Sequence, residues 1–288
     1  MSSDTEADTI IGRFNARIDV RLAEGSAPDD RDLLEGVLVR EIGRISGHRV
    51  GRDCWVNLEV AGVDAVQPEP DHADSTAYWD GYAPGADLET TLENLGRGFR
   101  WTQYKEHGPG LELLGEPRTV LELGCASGAT SLAIARTGAE VTGLDSSPAQ
   151  IARARDWWEE QPNLSFVQAD VLDYLARTED TWEAIVSNWG AGMFCDPVLL
   201  LPLIVPRLAS GGVYAFSHVE PLAPGHGPQV LYGNGYRGRK VAVVRWLYSP
   251  EQWERMLLRS GFAKVEVEVL PGPTPDHVGT VIGRAWAP

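Results

Sequence analysis

From Thr119 onward, five short apolar runs alternate with amphipathic stretches, and this rhythm constrains the fold more than any other feature of the chain. The runs are "TVLEL", "EVTGLD", "LSFVQAD", "EAIVSNW" and "GVYAFSH"; between them lie "SGATSLAIARTGA", "SPAQIARARDWWEEQ", "VLDYLART" and "DPVLLLPLIVPRLAS". Nearly continuous apolar strands separated by helices need cover on both faces, which is the condition of a parallel, doubly wound α/β sheet. Helix starts are marked by Ser147-Pro148 and Asp196-Pro197, each an N-cap followed by a proline whose missing N–H costs nothing there. Gly138 and Gly211 are placed as stops. Further on come "VAVVRWLY", a helix opening at Ser249-Pro250, and the alternating runs "AKVEVEVL" and "HVGTVIGRAW". The short gap between the last two predicts an antiparallel pair, so the final strand turns back.

Three segments follow. Residues 1–70 read as an extension, with a helix in "DRDLLEGVLVREIGRI" and a strand in "CWVNLEV". Residues 71–118 are helical and aromatic and are expected to cover the site, and 119–288 form the α/β domain. Within that domain, 220–240 is too rich in Pro, Gly, Tyr and His for an ordinary connection and is expected to be a lid. The net charge of −16 argues against nucleic acid, whose partners carry basic patches. No apolar run approaches the roughly 20 residues that span a bilayer, so no membrane is expected. The polar start "MSSDTEADTI" predicts no signal peptide. The three scattered cysteines, Cys54, Cys125 and Cys195, suggest a reducing compartment, and the expected location is cytoplasmic. The oligomeric state stays open, a homodimer among the options.

The first apolar run leads into "VLELGCASGAT". Gly124 permits a turn straight off the strand, and Gly128 would let the backbone come close to a ligand. A pyrophosphate-binding G-x-G-x-x-G turn fits poorly, because Ala126 and Ala129 replace glycines and Glu122 adds negative charge. Glu122, Asp145 and Asp170 fall at the ends of three successive strands, where an open parallel sheet binds its ligand. The bland reading of each is a helix N-cap; three in register weaken it.

"LELGCASG", "GLDSSPAQI", "QADVLDY" and "LASGGVYAF" together resemble the successive motifs of class I S-adenosylmethionine-dependent methyltransferases. The resemblance implies a Rossmann-like, seven-stranded doubly wound sheet with an antiparallel last strand, and S-adenosyl-L-methionine as cofactor. It implies that Gly124, Ala126 and Gly128 pack on the methionine part. Asp145, with Ser146 beside it, would bind the ribose; Asp170 and Val171 would bind the adenine; Glu122 would support the amino end. Asn188 and Trp189 stand where the methyl group is delivered, and Tyr78, Trp101 and Tyr104 match aromatics that contact the cofactor in small-molecule methyltransferases. The Asn-Pro-Pro-Tyr signature of adenine and glutamine methylation is missing from "SNWGAGMF".

His218, after the fifth run, is the first candidate general base, with Glu220 to orient it; His107 in "YKEHGPG" is the second. No histidine or cysteine spacing suits a metal. The expected activity is methylation of a small organic metabolite in a biosynthetic pathway. The alternatives are an NAD-dependent oxidoreductase and a non-catalytic cofactor-binding protein of the same fold.

Overall fold

The computed structural model describes residues 48–49, 55–56, 72–82, 87–221, 226–233 and 241–288. The chain divides into two units, Met1–Glu69 and Pro70–Pro288. In the first, β1 (His48–Arg49) pairs antiparallel with β2 (Trp55–Val56). The helix expected in "DRDLLEGVLVREIGRI" lies outside the described residues.

The second unit is built on one seven-stranded sheet. Its strands are β3 (Thr119–Leu123), β4 (Glu140–Asp145), β5 (Leu164–Gln168), β6 (Trp182–Asn188), β7 (Leu208–Val219), β10 (Lys264–Leu270) and β11 (Thr280–Trp286). The spatial order is β10-β11-β7-β6-β3-β4-β5. β3 to β7 run parallel, and β11 is antiparallel to both of its neighbours. This is the Rossmann-like sheet with a reversed last strand that the sequence implied.

Helices α3 (Ala129–Ala135), α4 (Pro148–Trp157), α5 (Val171–Arg177), α6 (Ala191–Phe194), α7 (Pro197–Ile204) and α8 (Pro250–Arg259) cover the two faces. Period-two alternation splits the core between those faces. Leu121, Leu123, Ile185, Tyr214, Phe216 and Val281 point to one side, packed on Leu200, Leu201, Trp253 and Leu257. Val120, Val186, Ala215 and Ile282 point to the other, with Ile134 and Trp101. The N-caps fall where the sequence placed them: Ser147 Oγ accepts from Gln150 N, and Asp196 Oδ1 from Val198 N.

Two elements lie outside the sheet. Helix α1 (His72–Gly81) precedes α2 (Leu88–Gly96) and rests on the start of α4, where Gln150 Nε2 donates to Trp79 O. The segment expected to be a lid contains β8 (Gly227–Gly233), paired antiparallel with β9 (Val241–Leu247) over seven positions. Gly227, Pro228 and Gly233 disguise this strand in the sequence, because the ladder partner that stabilises it is the separate run 241–247. "VAVVRWLY" is therefore a hairpin strand and takes no place in the main sheet.

Candidate cofactor and acceptor site

The turn after β3 is wound left-handed at three of five residues: Gly124 at φ +79°, Ala126 at +47° and Gly128 at +80°. Gly124 N and Cys125 N both donate to Leu144 O, which ties the turn to the end of β4. The two glycines make room for protein. A Cβ on Gly124 would stand 2.5 Å from Ala191 N, and one on Gly128 would stand 2.6 Å from the Phe166 ring. On its Cβ side Gly128 is approached closely by Phe166 and Trp158. Ala126 takes a positive φ that alanine adopts only at a cost.

The reason for that conformation is Asp145. Its Oδ2 accepts from Ala126 N at 2.8 Å and its Oδ1 from Ser147 N at 2.9 Å. Each oxygen keeps acceptor capacity for a further donor, as vicinal hydroxyls would supply. Burial raises the Asp145 pKa against these bonds, and the nearby Asp80 carboxylate raises it further. Asp80, on α1, accepts from Ser147 Oγ at 2.6 Å and so fastens α1 over the start of α4.

Glu122 lies deeper, only 2% exposed, with Ser131 Oγ donating to its Oε2. Burial pushes its pKa up to about 7 against the pull of Ser131, and the Asp145 charge adds to the rise. Among the described residues no lysine or arginine forms a salt bridge with Glu122, Asp145 or Asp80. Three carboxyl groups thus surround one turn with no cationic partner among the described residues. Such a donor set suits a ligand that brings positive charge and hydroxyls; it opposes a pyrophosphate.

Asp170 is an N-cap: its Oδ1 accepts from Leu172 N and Asp173 N, and the side chain is exposed at the edge of the crevice. Its neighbour Val171 is buried. At the ends of β6 and β7, Ser217 Oγ donates to Asn188 Oδ1 at 2.7 Å, and Asn188 Nδ2 to Thr130 Oγ1 at 3.2 Å. Trp189 follows at φ +56°, a left-handed position costly for a large side chain. It is held there by its own N–H to Ser217 O and its indole N–H to Trp101 O.

The aromatic candidates separate. Tyr78 is half-buried on α1, stacked on Tyr82 and edge-on to Trp79, which in turn meets Phe194 of α6. It stands on the same helix as Asp80, two residues before it. Trp101 is 0% exposed, its indole bonded to Gly110 O, so only its carbonyl reaches toward Trp189. Tyr104 Oη donates to Val278 O, and His107 Nε2 pairs with Pro271 O, so both are anchored to the loop joining β10 and β11. The start of β11 is four strand spacings, about 19 Å, from β4.

His218 is buried completely, 0% exposed, on the face of β7 that also carries Tyr214 and Phe216. Its ring lies against Phe216 and Trp253, Nδ1 pairs with Val219 O, and Nε2 has no hydrogen-bond partner among the described residues. Burial lowers its pKa to about 4, the Arg245 charge adding to the fall, so the ring is neutral at pH 7. Sequence reasoning missed Asp80, Ser147 and Arg245 as neighbours of the site. For Arg245 there was a signal: it interrupts an apolar strand at the period-two position between Val243 and Leu247.

With this geometry in hand, the match to known proteins is direct. Residues 120–212, which hold the turn, β4 and β6, match the profile of a family described as "Methyltransferase domain". Trans-aconitate 2-methyltransferase from Methylobacterium radiotolerans is 37% identical over 122 residues, covering 40% of this chain and 45% of that protein. The enzyme of the same name from Escherichia coli O7:K1 is 36% identical over 114 residues, covering 37% and 43%. The chain thus spans less than half the length of these two curated relatives. Among solved structures, DhpI in complex with SAH superposes with a TM-score of 0.52 at 19% identity, over 75% of this chain and 97% of that one. The 1,6-didemethyltoxoflavin-N1-methyltransferase of Burkholderia thailandensis gives 0.50 at 20%, over 78% and 93%. At such identities the structures speak for the fold.

The chain is built on the class I Rossmann-like methyltransferase fold. Residues 120–212 are the part that matches the methyltransferase-domain family.

Proposed function

We propose that the protein transfers a methyl group from S-adenosyl-L-methionine to a small organic acceptor. The observation that carries this reading is the trio Glu122, Asp145 and Asp80 around the β3–α3 turn, three carboxyl groups with no cationic partner among the described residues. Asp145, already oriented by Ala126 N and Ser147 N, accepts the ribose hydroxyls. Glu122, held by Ser131, sets a negative potential beneath the turn for the amino end. In this reading Asp170 and Val171 take the adenine, and Tyr78, on α1, contributes to the cofactor's cover. When bound, the cofactor supplies an electrophilic methyl group on a sulfonium. The chain supplies alignment and exclusion of water, which are the main protein contributions to such a displacement.

Asn188 and Trp189 are taken to bound the acceptor side, together with the β8–β9 hairpin. Neither His218, neutral and enclosed, nor His107, tied to Pro271 O, is poised as a base, so the reading favours an acceptor that needs none. Isothermal titration with S-adenosylhomocysteine and with NAD tests the cofactor. Binding of the homocysteine compound is expected, and binding of NAD alone would overturn the proposal. Trans-aconitate, the compound in the relatives' names, is the first acceptor to assay, by mass-spectrometric detection of a product 14 Da heavier, about one added CH₂. No methylated product from any acceptor tried, by a protein that binds S-adenosylhomocysteine, would favour the non-catalytic alternative.

A further inference from the structure

The β8–β9 hairpin has an inward face and an outward face, fixed by alternation. On β9, Val243 is 2% exposed and Leu247 1%, so the residue between them in the same register, Arg245, is on the inward face. Opposite it in the ladder is Gln229, and Arg245 Nε and Nη2 both donate to Gln229 Oε1, at 3.2 and 3.1 Å. That partner is neutral. In a chain with 41 acidic and 25 basic residues, a half-buried arginine held by an amide and by no carboxylate among the described residues is unusual. The described groups that act on it agree. Partial burial lowers the Arg245 pKa, and its charge reaches His218, whose buried Nε2 has no hydrogen-bond partner among the described residues.

The position selects the ligand. The hairpin packs on α1 and α6, and His218 lies at the end of β7. β7 is three strand spacings from β4, about 14 Å from the Asp145 side of the crevice. We infer that Arg245, oriented by Gln229, binds a carboxylate of the methyl acceptor, and that the acceptor is a small organic acid. This rests on the methyl-transfer reading above. A guanidinium already fixed on one edge presents its remaining N–H groups as a fork for a carboxylate, the geometry in which arginine is strongest. An acid that is ionised at neutral pH also asks for no general base, in keeping with a neutral His218.

The test uses the whole chain saturated with S-adenosylhomocysteine, titrated with succinate, citrate, trans-aconitate and benzoate and, in parallel, with their amides. At least one acid is expected to bind, and its amide to bind at least tenfold more weakly. Arg245→Gln should weaken that acid about 10- to 100-fold, and Arg245→Lys, which keeps the charge without the fork, about 5- to 20-fold. Affinity for S-adenosylhomocysteine should stay within twofold in both, with thermal melts confirming that both fold. Equal binding of acid and amide to the native chain, or no acid bound at all, overturns the inference without touching the methyl-transfer reading. So does a loss of S-adenosylhomocysteine affinity in a folded Arg245→Lys, which would assign the arginine to the cofactor's own carboxylate. Failure of S-adenosylhomocysteine to bind the native chain overturns the reading beneath it.

Discussion

Replacing Glu122 by glutamine should make the protein more stable at pH 8 and leave it unchanged near pH 4.5. The carboxyl is enclosed, bonded to Ser131 Oγ, and its pKa is raised from 4.5 to about 7, chiefly by burial. It therefore binds a proton more tightly folded than unfolded. The stability that this contributes is fully present below pH 4.5 and is lost as the pH rises through about 7. At about 1.4 kcal/mol for each pKa unit, the full difference is about 3 kcal/mol. Glutamine can accept the Ser131 bond and does not titrate. The gap between the two proteins should open from nothing near pH 4.5 to about 3 kcal/mol above pH 8, or roughly 6–12 °C in Tm for a unit of this size. The remaining carboxylates are common to both chains and cancel in the difference. Thermal unfolding of both at pH 5, 6, 7 and 8 and constant ionic strength measures it. Parallel stability curves over that range would show that Glu122 is not carried as a buried acid of raised pKa, and the reasoning about the turn would fail with it.

Asp145→Ala should weaken S-adenosylhomocysteine about 10- to 100-fold by calorimetry, because charge-assisted hydrogen bonds are lost; an unchanged dissociation constant would remove Asp145 from the site. Ala126→Gly should relieve the positive φ of +47° and raise stability by about 1 kcal/mol, read as a Tm higher by about 2–4 °C. A lower Tm would mean that the alanine methyl makes contacts worth more than the strain. Asp80→Ala should release α1 from Ser147 and speed amide exchange in residues 72–82 by about fivefold, with β3 and β4 unaffected. Uniform protection in α1 would show that the aromatic contacts of Trp79 suffice to dock it.

The frame of this fold is written locally. β3 and β4 coincide with "TVLEL" and "EVTGLD", because apolar strands bounded by glycine and by capped helices leave little choice. β8 was hidden, since its glycines and proline read as loop and its ladder partner is the separate run 241–247. The site was half legible. Asp145 declares itself at a strand end, but its companion Asp80 is 65 residues away in sequence and meets it only through the docking of α1. The glycines of the turn were visible, while the groups they admit, Phe166 and the Gly190–Ala191 backbone, come from other strands. His218 shows the opposite case. A histidine at a strand end suggests chemistry, yet period-two alternation already aligned it with Tyr214 and Phe216 on a covered face.

The placement of β11 also makes one strand the hinge of two pairings. This strand, residues 280–286, lies between β10 and β7 and makes seven register pairs with each. β10 touches the sheet through β11 alone. Without β11 the parallel half from β3 to β7 keeps its own pairings, while β10 loses its strand partner and would present two open edges. A truncation that removes these seven residues takes away two strand pairings at once and leaves β7 as the new edge.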